Sequence, residues 1–228
     1  MGKVTRRKFI IDGSIIFGGS LGCMALGRDL LGPNSARAAE VEFPESSCGL
    51  NKKTGKKVLV AYASYCGTTG NVAESIGQVL CDRGATVDVR LVENVHDLSN
   101  YEAVIIGSAV RSSSWRPEAI EFVENNRKIL GQVPVAYFLT CLALYKDTDK
   151  SRTAARRYME PALNVDPGLQ PVGMGLFAGV LDYSRLNLMF RMVMKYKMKK
   201  RGVPEGDFRN WAKIRSWADR VSSPLLTP

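Results

Sequence analysis

The stretch Lys57–Leu80, KVLVAYASYCGTTGNVAESIGQVL, places a continuous apolar run, a small-residue loop and a helical pattern in immediate succession. The run KVLVAYAS lacks polar alternation, as expected of a strand buried on both faces. After the loop, Val72, Ile76, Val79 and Leu80 recur at helical spacing. Between them lies SYCGTTGN, with three Ser or Thr hydroxyls and two glycines directly before the helix start. Backbone N–H groups at a helix start lack partners and sit at the positive end of the helix dipole, so such a loop attracts a phosphate. Gly67 would let the backbone approach closely, and Ser64, Thr68 and Thr69 could add hydroxyl donors. The loop carries no lysine, unlike the GxxxxGK[ST] pattern, which argues against a nucleoside triphosphate.

Working outward, ATVDVRLV (85–92) alternates as a strand should, and YEAVIIGSAV (101–110) and VPVAYFLT (133–140) are further apolar runs. LQPVGMGLFAG (169–179) reads as a fifth strand. Helices are expected over Pro117–Leu130, with proline at its first turn, over 151–163 (SRTAARRYMEPAL), and over 207–221 (DFRNWAKIRSWADRV). The last would bury Phe208, Trp211, Ile214, Trp217 and Val221. Alternating strands and helices predict an α/β fold: a doubly wound, five-stranded parallel sheet ordered 2-1-3-4-5. A ligand would then lie beyond the carboxyl ends of the strands, beside strand 1.

One terminal phosphate neutralised by a helix dipole and hydroxyls suits flavin mononucleotide (FMN). The loop Ser64-Tyr65-Cys66-Gly67-Thr68-Thr69 resembles the flavodoxin phosphate motif T-x-T-G-x-T, with serine for the first threonine and cysteine for the second. Two further loops would flank the flavin ring. One is GSAVRSSSWRPEA, with Ser108, Ala109, Val110, Arg111 and Trp115; the other is LTCLALYKDTD, with Thr140, Cys141, Leu142 and Ala143. Trp115 either stacks on flavin or substrate or packs on the domain. Arg111 and Arg116 either attract a carboxylate or are solvated. His96, the only histidine, excludes a second histidine from any site and reads as a loop residue.

Over roughly residues 57–221 the chain is similar to the flavodoxin-like family that includes the menaquinone-dependent protoporphyrinogen dehydrogenase. The segments that carry this are YEAVIIGSAVRSSSWRPEAIEFVENN, VPVAYFLTCLAL and the closing tryptophan helix. The resemblance implies an FMN oxidoreductase that passes reducing equivalents from a reduced donor to a quinone. An electron carrier without its own substrate is the alternative.

The 228 residues carry a formal charge of +10, which favours anionic partners such as a membrane surface or an acidic small molecule. No zinc spacing, RNA-binding aromatic signature or helix-turn-helix pattern points to nucleic acid. Residues 1–38 follow the plan of a signal peptide: TRRKFI resembles the twin-arginine motif, Ile15 to Gly27 is mildly apolar, and ARAAE offers cleavage after Ala38. An uncleaved anchor is the alternative. Export to the periplasm or the outer face of the cytoplasmic membrane follows, and loading of the cofactor before transit would reconcile a leader with a phosphate loop. Residues 39–56 read as a linker outside the fold, leaving 57–228 as the domain. Within it, residues 182–202 (DYSRLNLMFRMVMKYKMKKRG) form a basic amphipathic insertion, with Leu186, Met189, Phe190, Val193 and Met194 apolar. It lies either on an anionic membrane, near a lipid-dissolved quinone, or against its own domain. The cysteines, at 23, 48, 66, 81 and 141, form no CxxC pair; a disulfide between Cys66 and Cys141 is one possibility.

Overall fold

The computed structural model describes residues 41–49, 55–186 and 188–227. The leader, its cleavage point and Cys23 lie outside the described residues. A central sheet carries five parallel strands: β2 (Lys57–Ala63), β3 (Thr86–Leu91), β4 (Ala103–Arg111), β6 (Val135–Cys141) and β7 (Gly173–Ala178). Their spatial order is β3-β2-β4-β6-β7. Ala61 and Tyr62 of β2, Ile105 and Ile106 of β4, and Tyr137 and Phe138 of β6 are all fully buried. Burial on both faces is why β2, β4 and β6 read as unbroken apolar runs.

Two helices cover one face, α1 (Thr68–Asp82) and α6 (Trp211–Leu226). Val72, Ile76 and Leu80 of α1 and Ile214, Trp217 and Val221 of α6 pack there on the even-facing side chains of β2, Val58, Val60 and Tyr62. The opposite face is covered by α2 (Pro117–Leu130) with α3 (Asp149–Arg157) and α4 (Glu160–Leu163). The helix expected over 151–163 is therefore two. Pro161 in the first turn of α4 cannot donate to a preceding turn, so the chain breaks there. Likewise α6 begins later than its pattern suggested, because the Asn210 side chain accepts a hydrogen bond from Lys213 N and caps it. Phe208 thus stands outside the helix and packs edge-on to Tyr145, ring centroids 5.9 Å apart.

The linker reading of residues 39–56 requires correction over its described part. Ser46–Cys48 forms β1, which pairs antiparallel with β3 and becomes the sheet edge. Three polar or small residues carry no periodicity, so only the backbone ladder and side chains far along the chain reveal this strand. Two short strands, β8 (Val180–Leu181) and β9 (Gly206–Asp207), pair with each other and bracket α5 (Leu188–Arg201). Among the described residues no helix is long and apolar enough to cross a membrane.

Candidate functional site

At the carboxyl ends of β2, β4, β6 and β7 the chain leaves a largely apolar cleft. Its walls include Ser64, Tyr65, Cys66 and Thr68 from the first loop, Ala109, Val110 and Arg111 from the end of β4, and Thr140, Cys141 and Leu142 from the end of β6. Strands that run parallel and adjacent present their carboxyl ends together, which is why segments far apart in sequence meet here.

The loop Ser64–Gly67 is held open by its own carbonyls. Arg116 Nη1 donates to Ser64 O at 2.7 Å, Arg185 Nη1 to Cys66 O at 2.8 Å, and Arg209 Nη1 to Thr68 O at 3.3 Å. Three guanidiniums from three remote segments thus engage alternate peptide oxygens. The N-cap of α1 is Gly67, and among the described residues no side chain caps the helix start. The Ser64 hydroxyl is buried and finds no hydrogen-bond partner among the described residues. A buried hydroxyl left unpaired costs free energy unless something accepts from it or donates to it. Here it borders the cleft beside an uncapped helix start, so a phosphate fits the residues present.

Several expected contributors take other roles. Gly67 does adopt a left-handed backbone, φ 75°, which only glycine reaches cheaply. Yet its open side faces protein rather than the cleft: a β-carbon there would lie 1.9 Å from Glu42 O. Thr69 is fully buried and shares a 2.8 Å hydrogen bond with Thr140, so its hydroxyl serves the loop-to-β6 contact. Ser108 is also fully buried; its hydroxyl accepts from Arg116 N at 2.9 Å and donates to Ala109 O. Ala143 packs on the α2-side core and does not line the cleft.

Trp115 is the clearest correction. Ser112 and Ser113 both have positive φ, 53° and 64°, closing a two-residue hairpin between β4 and β5 (Ser114–Trp115). The hairpin folds Trp115 back into the core, 2% exposed and edge-on to Tyr137 at 5.4 Å. It is unavailable for stacking on a ligand. The Cys66–Cys141 disulfide does not form either: Cys141 is a free thiol. Burial pushes it up to about 11 against opposing amides of Leu144 and Ala143, so it stays protonated at neutral pH.

The two loop arginines separate. Arg116 forms a double hydrogen bond with Glu118, at 3.0 and 2.6 Å, and lies 4.2 Å over the Tyr65 ring. Burial raises the Glu118 carboxyl, but the Arg116 hydrogen bonds and charge outweigh it and hold the group low. Arg111 sits between Tyr65 and Phe190, 5.1 and 5.3 Å from their centroids, and has no ionic partner among the described residues.

The remaining wall escaped the sequence reading. Gly179, Val180, Leu181, Asp182, Arg185, Leu186, Phe190 and Met194 close the far side of the cleft. Leu186, just before α5, and Phe190 and Met194, one turn apart on it, belong to the apolar set of the insertion. These three turn inward. The same helix keeps an outward stripe: Leu188, Met189, Met192, Val193 and Tyr196 are 45–76% exposed.

The fold and the loop define an α/β protein with a glycine-containing turn at the switch point of its parallel sheet. A sequence model of the family described as "Flavodoxin domain" matches residues 59–206, and the chain belongs to that family. It is 28% identical over 185 residues to a Leishmania major protein named protoporphyrinogen IX dehydrogenase [quinone], covering 75% of this chain and 78% of that one. The Escherichia coli K12 protein of the same name is 24% identical over 176 residues, covering 73% and 94%. Among solved structures, a flavodoxin from the domain Archaea matches with TM-score 0.43 and 16% identity over 74% of this chain and 98% of that one. The apo form of an NADH:FMN oxidoreductase matches with TM-score 0.47 and 13% identity over 76% and 91%.

Proposed function

We propose that this chain is an FMN-dependent oxidoreductase that moves reducing equivalents from a reduced, porphyrinogen-like donor to a quinone. The observation that carries the reading is the unpaired, buried Ser64 hydroxyl beside an uncapped helix start, at one end of an apolar cleft. Ser64, Thr68 and the amides opening α1 would hold the phosphate, and Ala109, Val110, Thr140, Cys141 and Leu142 would flank the ring. Bound FMN would supply the electron-accepting and electron-donating chemistry. The chain's own part is to bind, orient and exclude water. Leu186, Phe190 and Met194 would form an apolar wall against donor or acceptor. Arg111, clasped by two aromatic rings, would take an acidic group of the donor at the rim. The name shared by the relatives supports the donor and quinone classes.

The outward stripe of α5, flanked by Lys195, Lys199, Lys200 and Arg201, would rest on an anionic membrane where a quinone resides. The twin-arginine leader would deliver the folded, flavin-loaded domain to the periplasm or the outer membrane face. Purified protein should be yellow and release FMN on denaturation. It should oxidise protoporphyrinogen IX with a soluble quinone as acceptor and no protein partner. Colourless protein that cannot be reconstituted with FMN overturns the reading; flavin binding without such turnover supports an electron carrier.

A further inference from the structure

Outside the matched family domain, residues Glu42–Cys48 run as a strap behind the phosphate loop. The Glu42 carbonyl occupies the space where Gly67 lacks a side chain. The Pro44 ring does the same for Gly70, whose β-carbon would lie 2.7 Å from Pro44 Cδ. Both glycines of the loop are therefore fitted to this segment and not to the cleft.

The strap is fastened along its length. Tyr62 Oη, from the middle of the core, donates to Pro44 O at 2.9 Å. Glu45 accepts from Leu91 N at 2.8 Å and from Asn94 at 3.0 Å. Arg90 donates to Ser46 O and to the Ser47 hydroxyl, at 2.6 and 2.7 Å, and Ser47 donates to Asp88 at 2.5 Å. Ser46, Ser47 and Cys48 pair in register with Val89, Asp88 and Val87.

A loop that binds phosphate through its amides must hold their directions before the ligand arrives, otherwise the ordering cost reduces affinity. We propose that the segment Glu42–Cys48 is the rear support of the phosphate loop and sets how tightly, and for how long, FMN is held. This rests on the flavin reading above.

The test uses the full chain, with two variants of the strap and its fastening and with Gly67→Ala in two backgrounds. Tyr62→Phe removes one fastening hydroxyl and keeps the core ring. The second replaces residues 42–48 with an equally long Gly-Ser segment. FMN affinity is read by quenching of flavin fluorescence on titration, release by a chase, and stability by thermal melting of the flavin-free protein. Tyr62→Phe should weaken FMN about threefold, and the replacement at least about tenfold. Gly67→Ala should weaken binding less in the replaced background than in the wild type, because the 1.9 Å collision with Glu42 O is then gone. FMN affinity unchanged in both variants, with only melting lowered, would overturn the proposal and leave β1 as an edge guard. Should the replacement fail to fold, Tyr62→Phe alone decides. A wild-type chain that takes up no FMN overturns the functional reading and this proposal together.

Discussion

At the scale of single residues, the site separates groups that hold the loop from groups left open to a ligand. Ser64 belongs to the second kind. Ser64→Ala removes an unpaired buried hydroxyl, so the flavin-free protein should keep its stability within about 0.5 kcal/mol or gain slightly. FMN affinity should fall about fivefold to tenfold, the worth of one hydrogen bond to a charged acceptor. Parallel denaturation and fluorescence titrations measure both, and equal affinity would deny the hydroxyl a ligand. Arg116 belongs to the first kind. Arg116→Met strands the Ser64 carbonyl and the Glu118 carboxylate; because Glu118 is 33% exposed and can rehydrate, the loss should be only about 2 kcal/mol. Urea unfolding of the flavin-free protein measures it. The sequence showed both arginines near the site but did not distinguish them, because the partner carbonyl of Arg116 lies 52 residues away.

At the scale of elements, β2, β4 and β6 were legible as apolar runs because burial on both faces removes their polar positions, and β3, with Asp88 and Arg90, as an alternating strand. The same tight packing makes Gly107 of β4 intolerant: an added β-carbon would lie 2.0 Å from Phe138 Cζ, in a fully buried ring. Gly107→Ala should cost about 3 kcal/mol by overpacking, read as a lower urea midpoint with an unchanged slope. Helix α5 is the opposite case. Its apolar residues were visible, but one stripe could not be divided into two without the fold. Phe190 and Met194 serve the cleft beside Leu186, which precedes the helix, while Met189 and Met192 are exposed. Met189→Glu with Met192→Glu should leave the melting curve within about 0.5 kcal/mol, as exposed substitutions do. Co-sedimentation with anionic lipid vesicles should be lost; retained co-sedimentation would remove α5 from the membrane proposal.

At the scale of the whole molecule, Asp88 joins the strap to the sheet and brings a pH dependence. Burial pushes its carboxyl up, but hydrogen bonds from Ser47 and Tyr101 and the charges of Arg90 and Lys57 outweigh that and hold it below the ordinary 3.8. A carboxyl with a depressed folded value contributes stability that is fully present above its unfolded value and is lost as pH falls through the folded one. The flavin-free protein should therefore keep this contribution at neutral pH and lose it below about pH 4. Asp88→Asn should flatten that limb of a stability-against-pH curve; an unchanged limb would place the acid sensitivity elsewhere.

What the chain determined by itself was local: runs of buried strand, the spacing of α1, and a hydroxyl- and glycine-rich turn between them. These follow from periodicity and turn chemistry, which act over a few neighbours. The tertiary structure decided which side of each residue faces what. It turned Trp115 inward through a hairpin, gave the openness of Gly67 and Gly70 to the strap, and drew Arg185 and Arg209 onto loop carbonyls 119 and 141 residues away. Such contacts join positions with no local pattern in common, so only the folded backbone brings them within reach.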